Sequence, residues 1–318
     1  MRAEPLEHDS PRAVLALVGP TASGKSAIAM ELAPALRAEI VGLDSMQIYR
    51  GMDIGTAKSS ADEQRRVPHH MIDIADPRMP HSVASFQRTA RSAIDAVMLR
   101  GRVPLLVGGS GLYYRAVVDE LEFPPTDPLT REAIASEDPE RLVGRLRASD
   151  PDAADRIEPA NVRRVVRALE VMELTGRPFS EFRKAWDRFE SRYDLVVAGL
   201  RVPPEVLTKR VEERVDVMLD AGLVDEVRGL LDKGLRTSLT ASRAIGYPEL
   251  VAHLEGVLTL DEAREQIIRN TRRFARRQMS WFRADPRVRW FDALDTERAT
   301  REIRAYYEGE IARRTVGA

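Results

Sequence analysis

The sequence predicts an α/β fold in which a parallel sheet is flanked by helices and carries a mostly helical insertion. Short unbroken apolar runs, such as 13–19 and 103–109, are typical of strands that are buried on both faces. These runs alternate with segments of helical periodicity, as they do in a parallel sheet with crossover helices. From about residue 120 to 192 the apolar runs stop, and Arg, Glu and Asp-Pro turns dominate, so the insertion is expected there.

The elements can be placed in order along the chain. Strands are predicted at 13–19, 39–44, 103–109, 193–202 and 288–293, with a weaker one at 70–74. Helices are predicted at 24–36, 85–100, 204–221, 223–233 and 260–283. The polar residues 1–12 are expected to be a disordered tail. Residues 13–120 and 193–318 then form one discontinuous core, and residues 121–192 form the helical insertion domain.

Composition limits the class of protein. The 318 residues are 43% hydrophobic and 31% charged, which is typical of a soluble globular chain of about two domains. No apolar run is long enough to cross a bilayer, and the N-terminus lacks the apolar core of a secretory signal. The chain has no cysteine, which excludes disulfides, thiol catalysis and cysteine-ligated zinc. We therefore expect a cytoplasmic protein that does not contact membranes.

A glycine-rich loop follows the first predicted strand. Its residues match the pattern Gly-x-x-x-x-Gly-Lys-[Ser/Thr] and are Gly19, Pro20, Thr21, Ala22, Ser23, Gly24, Lys25 and Ser26. Such a loop turns successive backbone N–H groups toward an anion, and the helix that follows adds its partial positive charge. The Lys25 ammonium would meet terminal phosphate oxygens, and the Ser26 hydroxyl would bind Mg²⁺. The loop predicts a phosphorylated ligand and a P-loop NTPase-like core, and it leaves the ligand's identity open.

The usual companions of nucleotide hydrolysis are missing. The strand at 103–109 has no acid at its end, and no Asn-Lys-x-Asp sequence for reading a guanine base exists. These two absences disfavour an NTPase or GTPase. They favour a diphosphate other than ATP in the loop.

An aspartate ends the second predicted strand. Ligands of parallel α/β sheets bind outside the carboxyl ends of the strands, so Asp44 could bind metal or act as a general base. A capping or turn aspartate is the alternative reading. Gly51 and Gly55 flank a loop that carries Lys58, which indicates a tight backbone near an anion.

Arginines cluster on one predicted helix. Residues 268–289 hold eight Arg and one Asp, and the spacing of Arg269, Arg272, Arg273 and Arg276 puts these four on one helix face. A basic face of this kind suits the phosphate backbone of a nucleic acid. A surface helix covered in salt bridges is the alternative.

Two further arginine groups lie elsewhere. Arg163, Arg164 and Arg167 share helical spacing inside the insertion. Arg210 and Arg214 lie one turn apart on the helix predicted at 204–221. A solvated face on which Arg214 pairs with Glu213 or Asp216 is compatible with this spacing, and so is a contact of Arg214 with a bound anion.

Ordered motifs make the chain resemble the tRNA dimethylallyltransferase (tRNA isopentenyltransferase) family. They lie at 19–26, 44–58, 69–73, 108–113, 167–171, 243–247 and 276–283. The resemblance is therefore nearly full-length. Ser110 stands where the family usually has Thr, and it retains the hydroxyl.

This resemblance implies a reaction and a set of partners. Dimethylallyl diphosphate would bind with its diphosphate in the 19–26 loop together with Mg²⁺. The exocyclic N6 amine of the tRNA adenosine 3′-adjacent to the anticodon would attack its C1 atom, with diphosphate leaving. Asp44 would be the general base, Ser110 would hold bridging or phosphate oxygens, and Arg214 would assist the leaving group. The protein is expected to be a monomer that binds the anticodon stem-loop.

The residues expected to contact tRNA form three groups. The first follows the strands and consists of Asp44, Ser45, Met46, Gln47 and Ser110. The second lies in the insertion and consists of Arg131, Arg163, Arg164, Val165, Val166 and Arg167. The third is near the C-terminus and consists of Arg243, Ala244, Ile245, Gly246, Tyr247, Pro248, Arg272, Arg273, Arg276 and Arg277.

Three other functions share part of this pattern. A P-loop kinase acting on a small molecule would use the loop and Asp44, but it would leave the basic helix and the insertion without a role. A prenyltransferase acting on a free adenine nucleotide would use the same chemistry. An RNA-binding ATP switch without catalysis would use the loop and the basic helix.

Overall fold

A computed structural model describes residues 13–316 and contains one sheet of six parallel strands. The strands are β1 Ala13–Val18, β2 Ala38–Gly42, β3 His69–His70, β4 Val103–Gly108, β5 Asp194–Arg201 and β6 Val288–Asp292. Their order across the sheet is β3-β2-β4-β1-β5-β6. The predicted α/β class with a parallel P-loop NTPase-like sheet is thereby confirmed. The predicted tail at 1–12 lies outside the described residues.

Helices cover both faces of this sheet and make up the insertion. In chain order they are α1 Lys25–Ala35, α2 Ala61–Arg66, α3 Val83–Leu99, α4 Gly111–Val118, α5 Pro128–Ala135, α6 Pro139–Ser149, α7 Pro151–Arg156, α8 Val162–Thr175, α9 Phe179–Lys184, α10 Pro204–Asp220, α11 Leu223–Asp232, α12 Tyr247–Leu254, α13 Leu260–Arg283 and α14 Thr296–Val316. In the part of the chain that the structure describes, none of them has the length and apolarity needed to cross a bilayer.

Strand β1 is the centre of the first unit, which comprises residues up to 118 and from 191 onward. All six of its residues are buried, as expected for a strand with helices on both faces. Val14, Ala16 and Val18 belong to the core beneath α3, α4 and α10–α13. Ala13, Leu15 and Leu17 belong to the opposite core beneath α1 and α14. The period of two in a strand thus divides one apolar run between two hydrophobic cores.

Strand β3 is shorter than the predicted 70–74 strand. It ends at His70 because Met71 and Asp73 adopt left-handed backbone conformations, with φ of 67° and 54°. Such conformations interrupt extended pairing. The His70 imidazole lies 2.7 Å from the buried Glu39 carboxylate, so it packs against β2 at the sheet edge.

The second unit, Asp119–Glu190, is helical and contains α5–α9 without a strand. The insertion was predicted at 121–192, so the unit is displaced by two residues at each end. Its core is formed by apolar side chains that include Leu142, Leu146 and Leu169. It also holds the fully buried Glu170 carboxylate, which two arginines and a backbone N–H surround.

Candidate active site

A cleft of about 520 Å³ opens at the carboxyl ends of β1, β2 and β4. The 19–26 loop follows β1, Asp44 follows β2, and Gly109 follows β4, and all three line the cleft. Strands β1 and β2 are not neighbours, because β4 lies between them. Gly108 at the end of β4 allows the chain that follows β2 to pass close to β4, since a Cβ at position 108 would lie 2.6 Å from the Leu43 Cβ.

The 19–26 loop presents an uncapped helix N-terminus to the cleft. Helix α1 begins at Lys25, and its N-cap residue Gly24 has φ of 90° and supplies no capping side chain. The first N–H groups of such a helix are available to an anion. Ala22 also adopts a left-handed conformation, with φ of 60°. The loop therefore has the backbone shape of a phosphate-binding loop.

Three charged groups interact within this cleft. The Lys25 ammonium donates a hydrogen bond of 2.7 Å to the Pro20 carbonyl. Burial and the Arg214 guanidinium lower the pKa of Lys25 to about 7, and the Asp44 carboxylate opposes them. Burial also lowers the pKa of Arg214, again against the attraction of Asp44. Two cations and one carboxylate thus share one half-buried site.

The placement of Arg214 decides between the two readings of its helix. Arg214 lines the cleft, whereas Asp216 pairs with Arg264 at 2.5 Å and Glu213 lies 3.8 Å from Lys209. The reading in which Arg214 pairs with Glu213 or Asp216 on a solvated face is wrong. One turn earlier, Arg210 also lines the cleft while donating to two backbone carbonyls, those of Ala293 and Leu294.

A second cavity of about 260 Å³ shares walls with the cleft. Asp44, Arg214 and Phe274 line both spaces, so the carboxylate faces two compartments. Apolar side chains of the second cavity are Met46, Val215, Met218, Leu223, Ile245 and Ile267. Besides Asp44 and Arg214, polar residues in the lining of this cavity include Ser110, Arg243 and Arg277. An apolar cavity with a few polar groups suits an organic ligand or a base.

The Asp44 carboxylate has one fixed oxygen. Its Oδ1 accepts a hydrogen bond of 2.8 Å from the N–H of Met46. This hydrogen bond is typical of an Asx turn, so Asp44 does have the turn role that was the alternative prediction. A carboxylate can accept several hydrogen bonds, so this turn leaves acceptor sites of Asp44 unused. Asp44 can therefore still accept a hydrogen bond or a proton from a ligand in either cavity.

Helix α13 packs tightly on the glycine-rich turn after β4. A Cβ at Gly109 would lie 2.4 Å from the Gln278 amide nitrogen, and one at Gly111 would lie 2.3 Å from the Trp281 Cβ. The Gln278 Oε1 accepts a hydrogen bond of 2.8 Å from the N–H of Thr21 in the 19–26 loop. Sequence reasoning gave no role to Gln278 or Phe274, and the closely spaced glycines at 108, 109 and 111 were the available signal.

Ser110 lies in the second cavity and does not line the cleft that contains the 19–26 loop. Its carbonyl accepts the N–H of Tyr114 at 2.9 Å, at the start of α4. The structure therefore groups its hydroxyl with Asp44, Ser45 and Met46. That cavity also contains Thr21 of the 19–26 loop and Arg214, so the expected contact of Ser110 with phosphate oxygens stays a prediction.

Lys58 has a structural role instead of facing an external anion. Its side chain is only 3% exposed, and its ammonium lies 2.6 Å from both the Asp53 and the Asp73 carboxylates. It also donates to the Tyr49 carbonyl at 2.8 Å. These contacts hold the end of the 51–58 loop to the chain before and after it.

The expected tRNA contacts of the first unit divide by burial. Asp44, Ser45, Met46, Arg243, Ala244, Ile245 and Gly246 line the second cavity, Gln47 lines the cleft, and Pro248 is exposed. The Tyr247 side chain is fully buried, and its hydroxyl donates to Glu226 at 2.7 Å. Tyr247 therefore supports the cavity from behind.

The basic face of α13 is free of intramolecular pairing at four positions. Arg272, Arg273, Arg276 and Arg277 are exposed, and no salt bridge to them occurs within residues 13–316. Arg269 is different, because it pairs with Glu265 at 3.3 Å. Of these five arginines, Arg269 is therefore the one to which the alternative of a salt-bridged surface helix applies.

The expected tRNA contacts of the second unit need correction. Val165 and Val166 are buried in its core, so their side chains pack inside this unit and any contact with tRNA would be through their backbone. Arg131 and Arg167 both bind the buried Glu170 carboxylate, at 2.9 and 2.8 Å. Arg167 also donates to the carbonyls at 124 and 125. Of this group, the exposed side chains not held in this network are Arg163 and Arg164.

The donor set of the cleft fits a magnesium ion held mainly by its substrate. Within residues 13–316 no cluster of three or more His, Asp or Glu side chains could hold a metal. The exposed Ser26 hydroxyl and the Asp44 carboxylate line the cleft as oxygen donors. Mg²⁺ is commonly bound through one or two protein oxygens together with substrate phosphates and water.

The fold and the two connected cavities define a transferase built on the P-loop NTPase-like fold. Residues 47–285 match the family model described as IPP transferase, and residues 12–79 match the one described as isopentenyl transferase. The chain belongs to the tRNA dimethylallyltransferase family. One curated relative, the tRNA dimethylallyltransferase of Streptomyces coelicolor, is 54% identical over 87% of this chain and 89% of its own length.

Other relatives and solved structures agree with this membership. The tRNA dimethylallyltransferase of Salinispora tropica is 53% identical over 88% of each chain. The structure of a full-length tRNA isopentenylpyrophosphate transferase from Bacillus halodurans is 42% identical, with a TM-score of 0.72 over 95% of this chain and 97% of that one. A eukaryotic dimethylallyltransferase acting on tRNA is 26% identical, with a TM-score of 0.78 over 90% and 75% of the two chains.

Proposed function

We propose that this protein transfers a dimethylallyl group from dimethylallyl diphosphate to tRNA and releases diphosphate. The acceptor is the N6 amine of the adenosine 3′-adjacent to the anticodon. One observation carries the proposal: Asp44 is shared by a cleft that holds a phosphate-binding loop and a cavity lined by residues expected to contact RNA. A group can pass from one compartment to the other only where they meet, and the carboxylate lies there.

The chemistry follows from this arrangement. The N6 lone pair forms a bond to C1 of the dimethylallyl group, the C1–O bond breaks, and its electron pair leaves with diphosphate. An aromatic amine is a weak nucleophile, so a carboxylate that accepts its proton assists the attack. Asp44 supplies that carboxylate, and the transferred N6 proton ends on its oxygen.

The cleft stabilises the charge that develops on the leaving diphosphate. Lys25, Arg214 and the uncapped N–H groups of α1 face the same space. Preorganised donors in a poorly hydrated site stabilise such charge more than water does. Ser26 would hold a Mg²⁺ ion together with diphosphate oxygens, and that ion would neutralise part of the charge when bound.

The second cavity receives the base. Its apolar wall offers packing for a flat ring, and Phe274 lies between this cavity and the cleft. An adenosine within an anticodon loop reaches such a cavity only by leaving its stack. The exposed arginines of α13 and of α8 would bind the surrounding phosphates.

The alternatives use less of the molecule. A small-molecule kinase would leave the second cavity and the basic face of α13 unexplained, and the relatives favour prenyl transfer to tRNA. Prenylation of a free adenine nucleotide would use both cavities but would give no role to the basic face of α13. The cytoplasmic location and the monomeric state remain predictions.

One experiment separates these functions. The protein is incubated with labelled dimethylallyl diphosphate, Mg²⁺ and unmodified tRNA, and in parallel with AMP in place of tRNA. A third reaction contains labelled ATP and AMP without dimethylallyl diphosphate. Label in the tRNA, located by nuclease mapping to the adenosine next to the anticodon, is the expected result. Label in AMP alone, or phosphate transfer from ATP without prenylation, would contradict the proposal.

A further inference from the structure

The 51–58 loop wraps its backbone around a carboxylate supplied by α11. The N–H groups of Asp53 and Ile54 donate to Oε2 of Glu226 at 2.9 and 2.7 Å. The N–H of Gly55 donates to Oε1 at 3.1 Å. Successive N–H groups that converge in this way form an anion-binding concavity. The sequence indicated an anion near this loop, and the structure shows that this anion is part of the chain.

A fourth donor completes the coordination of this carboxylate. The Tyr247 hydroxyl donates to Oε1 of Glu226 at 2.7 Å. Its ring lies against Gly55, where a Cβ would come within 2.7 Å of ring atoms. Burial and the nearby Glu226 carboxylate raise the pKa of Tyr247, so the hydroxyl stays a donor near neutral pH. Glycine at position 55 is therefore required by the packing of Tyr247.

The same loop forms walls of both cavities. Gly55 and Thr56 line the second cavity, and Thr56 and Ala57 line the cleft. The Gln47 amide donates to the Thr56 carbonyl at 3.1 Å and to the Ala57 carbonyl at 3.3 Å. Gln47 lies three residues after Asp44 in the turn that fixes the carboxylate. A displacement of the loop would therefore reach the segment that carries Asp44.

The two ends of the loop are held differently. Lys58 ties its end to Asp53 and Asp73, and this contact does not involve α11. Glu226 holds residues 53–55 to α11. Loss of Glu226 would consequently leave the loop attached but misplaced, which separates an effect on catalysis from unfolding.

We propose that Glu226 is a positioning residue for the transfer reaction. Its carboxylate fixes the 51–58 loop and, through Thr56 and Gln47, the placement of Asp44 between the two cavities. This inference rests on the proposed function, because the reaction whose geometry it sets is prenyl transfer. Glu226 lines neither cavity, so it acts through the loop and not on a substrate.

The test uses graded variants of the full chain. Glu226→Ala removes the acceptor, and Glu226→Gln keeps its size but replaces one acceptor oxygen with an amide nitrogen. Asp225→Asn is the matched control, because Asp225 is an exposed neighbour that pairs with Arg228 on the same helix. The measurements are kcat, KM for both substrates, tRNA affinity, and hydrogen exchange of the amides at 53–55.

Misplacement by about 1 Å can cost about 100-fold in rate, so we expect E226A to lower kcat about 100-fold. E226Q should lower it about 10-fold, and D225N less than about 2-fold. The affinity for tRNA should stay within about 3-fold, since the basic face of α13 is untouched. The amides at 53–55 should exchange faster in E226A than in the wild type.

Two results would overturn the inference. One is a wild-type kcat in E226A whose amides at 53–55 have lost protection. The other is an equal loss of kcat and tRNA affinity together with a lower melting temperature, which would indicate a purely structural role. Failure of the wild type to prenylate tRNA would instead refute the proposed function, and the exchange result for the loop would stand on its own.

Discussion

Two loops of this protein share a composition and differ in use. Residues 19–26 and residues 51–58 each combine glycine at positive φ with a lysine. Both loops have the composition of an anion-binding turn. In the first, Lys25 is held by one carbonyl in a cleft, and its pKa is lowered to about 7. In the second, Lys58 contacts two carboxylates, and Glu226 occupies the N–H groups.

The two loops differ in how many carboxylates of the chain contact them. The 51–58 loop receives carboxylates from Asp53, Asp73 and Glu226, so its binding capacity is satisfied internally. The 19–26 loop receives no carboxylate bond among the described residues, and Asp44 acts on Lys25 only across the cleft. A glycine-lysine loop therefore indicates anion binding only when no carboxylate of the chain already occupies it.

The largest expected effect lies at the carboxylate between the two loops. Asp44→Ala should lower kcat about 1000-fold, because general base assistance is lost. Asp44→Asn is the matched control for size, and single-turnover transfer to tRNA is the measurement. Equal losses in transfer and in tRNA binding would remove the assignment as base.

The two lysines provide the direct test of the comparison. Lys25→Met should raise the Kd for dimethylallyl diphosphate about 30-fold, as the loss of a charge-assisted contact of about 2 kcal/mol implies. Lys58→Met should leave that Kd within about 3-fold and lower the free energy of unfolding by about 1–3 kcal/mol, because it leaves carboxylates without their partner. Isothermal titration and urea denaturation of both variants measure these effects. If the two variants behaved alike, the comparison would fail.

The pH dependence of diphosphate binding sharpens the same comparison. Lys25 is protonated below its pKa of about 7 and loses its charge above it. Binding a diphosphate then requires proton uptake, so Kd should rise with pH from 7 to 9 by at most about tenfold per pH unit. The Lys25→Met variant should lose this dependence and Lys58→Met should keep it. A wild-type Kd that is constant over this range would show that diphosphate binding is not linked to protonation of Lys25.

The smallest effect concerns the basic face of α13. Neutralising Arg272 and Arg276 together should weaken tRNA binding about tenfold and reduce the slope of log affinity against log salt by about 1.5. Neutralising Arg298 and Arg301 on α14 is the control with the same change in net charge, and it should leave the slope unchanged. A filter-binding series from low to high salt measures the slope. If the α13 variant keeps the wild-type slope, the face does not contact phosphates.

Local sequence pattern was sufficient for most of the fold. The apolar runs at 13–19 and 103–109 became the buried strands β1 and β4, because a strand buried on both faces needs little beyond its own composition. The strand predicted at 70–74 failed since the backbone turns left-handed at Met71, which a run of apolar residues does not reveal. The order of the strands required tertiary information.

The parts of the site that follow directly after a strand could be predicted from the sequence. The 19–26 loop and Asp44 could be found because their position after strands fixes which edge of the sheet they occupy. Gln278 and Glu226 could not, since each meets its partner across a long sequence separation. The burial of Val165 and Val166 could not be predicted, because a position within a motif does not indicate whether its side chain faces the core.

The shared wall between the cleft and the second cavity has a practical consequence for inhibition. A single molecule that joins a diphosphate mimic to a purine mimic would span Asp44 and occupy both compartments at once. Its selectivity over other proteins with a similar phosphate-binding loop would come from the purine end, which would rest on Phe274, Ile245 and Met218. Bisubstrate compounds of this type are the natural chemical probes of this enzyme.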